Sequence, residues 1–201
     1  MAKDNSSKTI WIIVAVVLGV LIIGGLIFGF GIYYLYKAGT AVVASPSPTT
    51  NLQTGTLSSY ANARYGFSMK YPSTFSAQES QNGDGVTLTS ISPAITIRAY
   101  GSMNALSQNL DEYLNFARDN LFKESAGAEE SAATETTLGG LPAQERRWQY
   151  VNSVDGTQTI MDQVTALKGD SFYTVQMVIA YSDYSQYAPM FDEILKSFKF
   201  E

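Results

Sequence analysis

A long uncharged stretch near the N terminus constrains this chain most. Residues Thr9–Tyr36, TIWIIVAVVLGVLIIGGLIFGFGIYYLY, contain no Asp, Glu, Lys or Arg. About 20 apolar residues span a bilayer as a helix, whereas the apolar core of a signal peptide has only about 7–15. Trp11 near one end and Tyr33, Tyr34 and Tyr36 at the other match the aromatic belts of membrane helices. The stretch predicts one transmembrane helix over residues 9–36.

The charges that flank this stretch predict its orientation. Residues 1–8 carry two lysines and one aspartate, whereas Lys37 is the one cation between the stretch and Arg64. Because Lys and Arg accumulate on the cytoplasmic side, we expect a cytoplasmic N terminus and a C-terminal domain outside the cell membrane. The small residues of Val42–Ala44 would suit cleavage, but the length of the apolar stretch favours a retained, single-pass anchor.

Gly25 and Gly29 have the spacing of the Gly-x-x-x-Gly pairs through which membrane helices approach each other closely. Gly is also common in membrane helices, and Gly19, Gly24 and Gly31 lie nearby. Weak self-association through Gly25 and Gly29 and an ordinary spanning role for both therefore remain open.

A segment of different composition follows the apolar stretch. Residues 37–59 are rich in Ala, Ser and Thr, with Pro46 and Pro48 alternating with Ser, and Lys37 is their only charge. Such a segment cannot bury enough apolar surface to fold by itself. It predicts a semi-extended linker, followed by a folded domain over residues 60–201.

The composition excludes several kinds of chemistry. The 201-residue chain contains neither Cys nor His. Disulfides, thiolate catalysis, Ser-His-Asp triads and imidazole metal sites are therefore excluded. The formal net charge of −5 argues against nucleic-acid binding, because phosphates require clustered Lys and Arg. No cofactor or metal is expected.

Alternating residues predict the strands of the domain. In ARYGFSMKYPSTF, residues Tyr65, Phe67, Met69 and Tyr71 share one face of an opening strand, which Pro72 ends. Turn signals separate the strands that follow: Asn82–Gly85, Pro93, Asp155–Gly156 and Lys168–Asp170. The last two turns join three long strands into an antiparallel meander.

Two helices are expected beside these strands. Asn109 and Glu112 are spaced as a capping box at the start of the first helix, with Phe116 on its apolar side. Because Pro suits only the first turn of a helix, Pro189 predicts that the last helix starts near Tyr187. The apolar stripe of the first helix consists of Leu110, Leu114, Ala117 and Leu121. That of the last helix consists of Phe191, Ile194, Leu195 and Phe198. The fold class is α+β, an antiparallel sheet flanked by helices.

Four segments resemble the PsbP-like family and occur in its order: YGFSMKYPSTF, LGGLPAQERRWQY, DSFYTVQMVIA and FDEILKSFKF. They span most of residues 60–201. The resemblance implies an α-β-α sandwich around an antiparallel sheet and a non-enzymatic role, as in extrinsic photosystem subunits, assembly factors, mycobacterial lipoproteins and a Ran-binding relative. Plant photosystem members use His among their metal contacts, which this chain lacks. The anchor and linker are similar to those of bacterial surface-tethered relatives.

One group of residues is a candidate site for partner contact. Tyr181, Tyr184 and Tyr187 cluster just before the expected last helix. Tyr is enriched at protein interfaces, because it combines a large apolar ring with a hydroxyl group, but it equally suits the edge of a core.

Other polar motifs in the domain have structural explanations. Arg146 and Arg147 are neighbours on a strand, so they point to opposite faces and are expected to form cross-strand ion pairs. Asp155-Gly156 and Gly139-Gly140 suit turns. The acids Glu129, Glu130 and Glu135 lack the pattern of a calcium loop, so a solvated acidic loop is expected.

These features support one main hypothesis about function and one alternative. The anchor, the linker and the missing catalytic residues favour a membrane-tethered, extracytoplasmic, non-enzymatic module that binds or assembles envelope or membrane-complex proteins. The alternative is a solute-binding or sensing domain with a pocket between sheet and helix. An enzyme ranks third, since the usual nucleophile–base and metal-ligand sets are missing.

Overall fold

The computed structural model describes residues 56–124, 128–131 and 133–201. Its elements in chain order are β1 (Leu57–Asn62), β2 (Phe67–Pro72), β3 (Ser76–Glu79), β4 (Gly85–Ile91), β5 (Ala94–Met103), α1 (Leu110–Glu124), β6 (Glu129–Glu130), β7 (Thr134–Leu138), β8 (Leu141–Val151), β9 (Gln158–Lys168), β10 (Ser171–Ala180), α2 (Tyr181–Ser197) and β11 (Lys199–Phe200). The predicted transmembrane helix over residues 9–36, Gly25 and Gly29, and most of the linker lie outside these residues. Within them, neither helix has the length and apolar character needed to cross a membrane.

The strands form two antiparallel sheets. The larger sheet has eight strands in the order β3-β4-β5-β10-β9-β8-β6, with β7 also paired to β8. The smaller sheet has the order β1-β2-β11. The predicted meander of three long strands is confirmed as β8, β9 and β10.

The opening strand confirms most of its prediction and corrects the rest. Phe67, Met69 and Tyr71 are buried on one face of β2, as alternation predicted. Tyr65 is not on this strand, because the chain turns at Gly66, whose φ of 60° is in the left-handed region that favours Gly. The partner strand β1 begins at Leu57, inside the segment expected to be linker. Its sequence LSSYAN lacks an alternating apolar pattern, so no signal revealed it.

The predicted turns all join neighbouring antiparallel strands. They lie between β3 and β4, β4 and β5, β8 and β9, and β9 and β10. At the β8–β9 turn, the Asp155 carboxylate accepts a hydrogen bond from the Thr157 N–H at 2.9 Å, and Gly156 has a φ of 74°. Gly139-Gly140 forms the β7–β8 turn, as expected.

Helix α1 starts with the predicted capping box. The Glu112 N–H donates to Asn109 Oδ1 and the Asn109 N–H donates to Glu112 Oε2, both at 2.9 Å. Leu114 is fully buried, but Phe116 is exposed, so the apolar side of α1 is narrower than expected.

Helix α2 begins at Tyr181, not near Tyr187 as predicted. The chain passes from β10 directly into the helix, and Pro189 lies inside it. Pro cannot donate to the Ser185 carbonyl four residues earlier, which normally disfavours this position. Ser185 is exposed, so water can bind that carbonyl, and the burial of Phe191 and Ile194 against the sheet stabilises the helix.

One face of the large sheet is apolar. Its side chains pack against α2 and the small sheet in one continuous core, which includes Leu88, Ile97, Val164, Val175 and Met177 from the large sheet and Phe67, Met69, Phe191 and Ile194 from the covering elements. Phe67 also contacts the rings of Tyr60, Tyr173 and Phe198.

The opposite face of the large sheet is polar and lies under α1. Its buried polar side chains are Arg146, Thr159, Gln163, Thr165, Thr174 and Gln176. This face also buries Trp148 and Phe172, and the ring of Tyr113 of α1 stacks on that of Phe172 at 4.0 Å between centroids. The two helices therefore cover opposite faces of the sheet.

Candidate binding cleft beside the start of α2

A cleft of about 570 Å³ lies between the start of α2 and the edge of the large sheet. Tyr181, Ser182, Tyr184 and Ser185 of α2 line one side, Glu129, Glu130 and Ser131 line the other, and Arg147, Trp148, Gln149 and Ile160 lie between them. The cleft forms because α2 covers β9 and β10 more than β8, which leaves the end of β8 accessible.

The structure brings two of the three candidate tyrosines to this cleft. Tyr181 is 51% exposed, and Tyr184 is half-buried beside it. Tyr187 does not line the cleft and packs against the apolar core. Because α2 begins at Tyr181, all three residues lie on the helix at three-residue spacing, and Tyr187 is the farthest of them from its start.

A buried carboxylate beneath the cleft binds two of the side chains that line it. Asp162 is 2% exposed, and its Oδ2 accepts hydrogen bonds from the Tyr184 hydroxyl at 2.5 Å and from Arg147 Nε at 3.1 Å. Arg147 also pairs with Glu145, and its guanidinium lies 5.7 Å from the centre of the Tyr184 ring. These contacts hold Arg147 and Tyr184, both cleft residues, in one orientation.

Opposing contributions act on the pKa of the Asp162 carboxyl, and the net effect is a rise. Burial raises the pKa of the Asp162 carboxyl, and the charge of Glu145 acts in the same direction. The hydrogen bond from Tyr184 and the positive charge of Arg147 oppose this rise without cancelling it. Burial and the hydrogen bond to Asp162 also raise the pKa of the Tyr184 hydroxyl, so Tyr184 remains a donor. Asp162 Oδ1 is buried without a hydrogen-bond partner among the described residues.

Arg146 and Arg147 point to opposite faces, as predicted, and each forms cross-strand contacts. Arg147 pairs with Asp162, whereas Arg146 lies on the polar face and donates to Asn115 Oδ1 of α1 at 2.9 Å and to Glu130 Oε1 at 3.2 Å.

The expectation of a solvated acidic loop is wrong for Glu130. Its Oε1 accepts hydrogen bonds from Arg146 at 3.2 Å and from the Trp148 indole N–H at 3.1 Å, and its Oε2 lies 3.6 Å from Arg118. Glu130 thus connects β6, β8 and α1. Within the described part of the chain, no three acidic side chains come together to hold a metal ion.

The sequence contained one signal for the Asp162 site that was missed. Asp162 follows Ile160 and precedes Val164 and Ala166 at two-residue spacing on β9, so alternation places it on their buried face. A carboxylate in that position needs a partner, because burying an unpaired charge is costly. The partner, Arg147, lies directly opposite on β8, which only the strand register reveals.

Comparison with known proteins shows the fold. No protein-family model and no curated protein matches the chain. The solution structure of cyanobacterial PsbP (CyanoP) from Synechocystis sp. PCC 6803 is similar, with 13% identity, a TM-score of 0.55, and coverage of 77% of this chain and 98% of that one. The described domain has a PsbP-like fold.

A second solved structure has a similar fold. The PsbP-like domain is similar to the Ran-binding protein Mog1p of Saccharomyces cerevisiae, with 8% identity, a TM-score of 0.53, and coverage of 73% of this chain and 96% of that one. At these identities the likeness concerns the fold, so function has to be argued from the cleft.

Proposed function

We propose that the PsbP-like domain is a non-enzymatic module that binds or assembles envelope or membrane-complex proteins, held outside the cell membrane by one N-terminal helix over residues 9–36. The observation that carries the binding role is the cleft, which presents the half-exposed ring of Tyr181 beside a fixed Arg147. Tyr and Arg are the residues that most often dominate protein interfaces.

The contacts beneath the cleft support this role, because they orient its side chains before a partner arrives. Tyr184 and Arg147 both bind Asp162, and Glu130 binds Arg146 and Trp148. A surface whose side chains are already ordered loses less conformational entropy on binding. The cleft also combines apolar rings with charges of both signs, as a polar-rimmed contact site requires.

Composition and fold support the non-enzymatic part of the proposal. The chain has neither His nor Cys, so the usual base and the thiol nucleophile are missing. Mog1p, whose fold is similar, is described as a Ran-binding protein, so at least one protein of this fold recognises another protein.

The proposal is tested by site-specific crosslinking of the full chain in its native membrane. A photo-crosslinking amino acid replaces Tyr181, and in a matched control it replaces Phe116, which is similarly exposed at 56% but lies on α1. With the probe at position 181, we expect one discrete crosslinked protein. With the probe at Ser182 instead, we expect the same product from the chain that retains Tyr181, and no product from Tyr181→Ala. Equal products from both positions, or none from position 181, would contradict the proposal.

Membrane tethering and orientation need a separate test. A reporter that is active only outside the cytoplasm, fused after Glu201, is expected to be active, and deletion of residues 9–36 is expected to release the chain from the membrane fraction. A reporter active only in the cytoplasm would reverse the proposed orientation.

The volume of the cleft favours solute binding as a second candidate function. Small-molecule sites have volumes of about 300–1,000 Å³, and this cleft lies in that range. Native mass spectrometry of the full chain distinguishes the two functions. A small molecule that co-purifies with the unmodified protein, and is lost in Tyr184→Phe, would support the solute-binding function over protein binding.

A further inference from the structure

The two ends of the large sheet expose different side chains. The Ile91 end comprises the Ser92–Pro93 turn, the β8–β9 turn over residues 152–157 and the first turn of α2. These lie together because Ile179 near the end of β10 pairs with Ile95 on one side and Ile160 on the other. The Met103 end is the opposite end, with the Gly169–Asp170 turn.

Most of the large apolar side chains that are exposed among the described residues belong to the Ile91 end: Leu57, Ile91, Val151, Val154 and Tyr181. Ile91, the last residue of β4, is 82% exposed, and Val154, within the β8–β9 turn, is 74% exposed, although a polar residue would serve equally well at either position. Exposed apolar side chains grouped in this way mark a surface that contacts an apolar phase or a partner.

The chain enters the domain at this same end. The Thr56 carbonyl accepts a hydrogen bond from the Ser73 N–H at 2.9 Å. Ser73 comes just before β3, which begins at Ser76, and Ser76 lies opposite Thr89 near the end of β4. The other end of β1 lies at the Met103 end, where the Asn62 side chain donates to the Gly83 carbonyl at 3.1 Å. The described part of the chain therefore begins at the Ile91 end, downstream in sequence of the uncharged stretch of residues 9–36.

Charge distinguishes the two ends as well. Among the described residues, the turns of the Ile91 end carry Asp155 and Asp183 but no Lys or Arg. The Met103 end carries the cations Arg64, Lys168 and Lys199 together with the acids Asp84 and Asp170. Cations near a surface favour anionic lipid, so the Ile91 end suits an uncharged bilayer surface instead.

We propose that the Ile91 end docks on the zwitterionic lipid surface of the membrane in which the chain is anchored, with Ile91 and Val154 inserted among the headgroups. This inference rests on the membrane anchor of the proposed function. A few apolar side chains bind a bilayer weakly, but an anchor in the same chain keeps them at high effective concentration. Tyr181 lies where this end meets the cleft, so the cleft opens close to the lipid surface.

The absence of Cys from the chain makes a direct test practical. The full chain is reconstituted in phosphatidylcholine vesicles as single-cysteine variants, each labelled with an environment-sensitive fluorophore. Ile91→Cys and Val154→Cys probe the docking end, and Met103→Cys and Leu106→Cys, which are also exposed, serve as matched controls. We expect a blue shift, and quenching by spin-labelled lipid, at Ile91 and Val154 but not at the controls.

Further arms separate this inference from its alternatives. A label at Leu21→Cys reports whether the anchor is inserted: if it is quenched while Ile91 and Val154 are not, the docking inference fails and the anchor stands. A blue shift that grows with protein density but is not accompanied by lipid quenching would indicate that the Ile91 end contacts a second copy of the chain. That result would overturn the inference. Quenching that requires added phosphatidylglycerol would also overturn it, because no cation at this end explains it.

A pair of double variants tests the apolar side chains themselves. With the label at Leu57→Cys, the double substitution Ile91→Ser and Val154→Ser is expected to abolish lipid quenching. The matched double substitution Met103→Ser and Leu106→Ser is expected to leave it unchanged. Equal quenching in both double variants would show that these two side chains do not hold the domain on the bilayer.

Discussion

The two faces of the large sheet are stabilised in different ways. The apolar face buries side chains such as Val164, Val175 and Met177 against α2 and the small sheet. The polar face buries Gln163, Thr165 and Thr174 as well, and hydrogen bonds and ion pairs join it to α1. Apolar burial is non-directional and proportional to area, whereas hydrogen bonds require particular atoms at particular distances.

This difference indicates a division of roles within one sheet. The apolar face supplies most of the folding free energy, since hydrophobic burial is the dominant favourable contribution. The polar face determines where α1 lies, because its partners must match in position. Asp162 is a polar exception on the apolar face, and its hydrogen bonds orient Tyr184 and Arg147 in the cleft.

The largest effect is expected from a cavity in the core that packs against the apolar face. Phe67→Ala removes a fully buried ring that contacts Tyr60, Tyr173 and Phe198, and should lower the free energy of unfolding by about 3–5 kcal/mol. Urea denaturation followed by the fluorescence of Trp148 measures the change. Phe67→Leu, which refills part of the cavity, should lose less. If Phe67→Ala lowers the free energy of unfolding no more than a polar-face variant does, the proposed division of roles between the two faces is contradicted.

An intermediate effect is expected from the main ion-pair residue of the polar face. Arg146→Leu leaves Asn115 Oδ1 without its donor and removes one of the two donors to Glu130 Oε1, which should lower the free energy of unfolding by about 1–3 kcal/mol. Hydrogen exchange should increase in α1 more than in α2. Arg118→Ala is the control, since its ion pairs are more exposed and should contribute less to the free energy of unfolding. Equal exchange in both helices would show that Arg146 does not position α1.

A smaller effect is expected from the buried hydroxyl pair on the polar face. Thr165 Oγ1 and Thr174 Oγ1 are 3.1 Å apart, and Gln163 also donates to Thr165 at 3.0 Å. Thr174→Val should lower the free energy of unfolding by about 1 kcal/mol, because Thr165 loses a partner. In a double-mutant cycle with Thr165→Val, the combined loss should be less than the sum of the single losses. Strict additivity would mean that the two hydroxyls do not interact.

The smallest expected effect is a change in pH dependence caused by Asp162. Its pKa is raised, so between the ordinary carboxyl range and the raised pKa the folded chain retains a proton that the unfolded chain has lost. The free energy of unfolding should therefore fall as pH rises through this window. Asp162→Asn should flatten this decline, whereas Asp155→Asn, in an exposed turn, should not. An unchanged slope in Asp162→Asn would show that Asp162 does not cause it.

Local patterns predicted the elements that depend on neighbouring residues. The capping box of Asn109 and Glu112 was confirmed atom by atom, because both partners lie within one helical turn. The buried face of β2 followed from two-residue alternation. Strand β1 was missed because its pairing with β2, rather than its own pattern, makes it a strand. The start of α2 was misplaced because packing against the sheet outweighs the local preference at Pro189.

The sequence by itself determined the uncharged N-terminal stretch, the exclusion of Cys and His chemistry, the meander and the opposite directions of Arg146 and Arg147, because each depends on composition or short-range periodicity. The tertiary structure alone decided that Arg147 meets Asp162, that Tyr181 and Tyr184 share a cleft without Tyr187, and that Ile91 and Val154 lie at the end where the chain enters. Those contacts depend on strand register and on the exact start of α2. Both are set by the sum of many distant packing contacts, which no local pattern records.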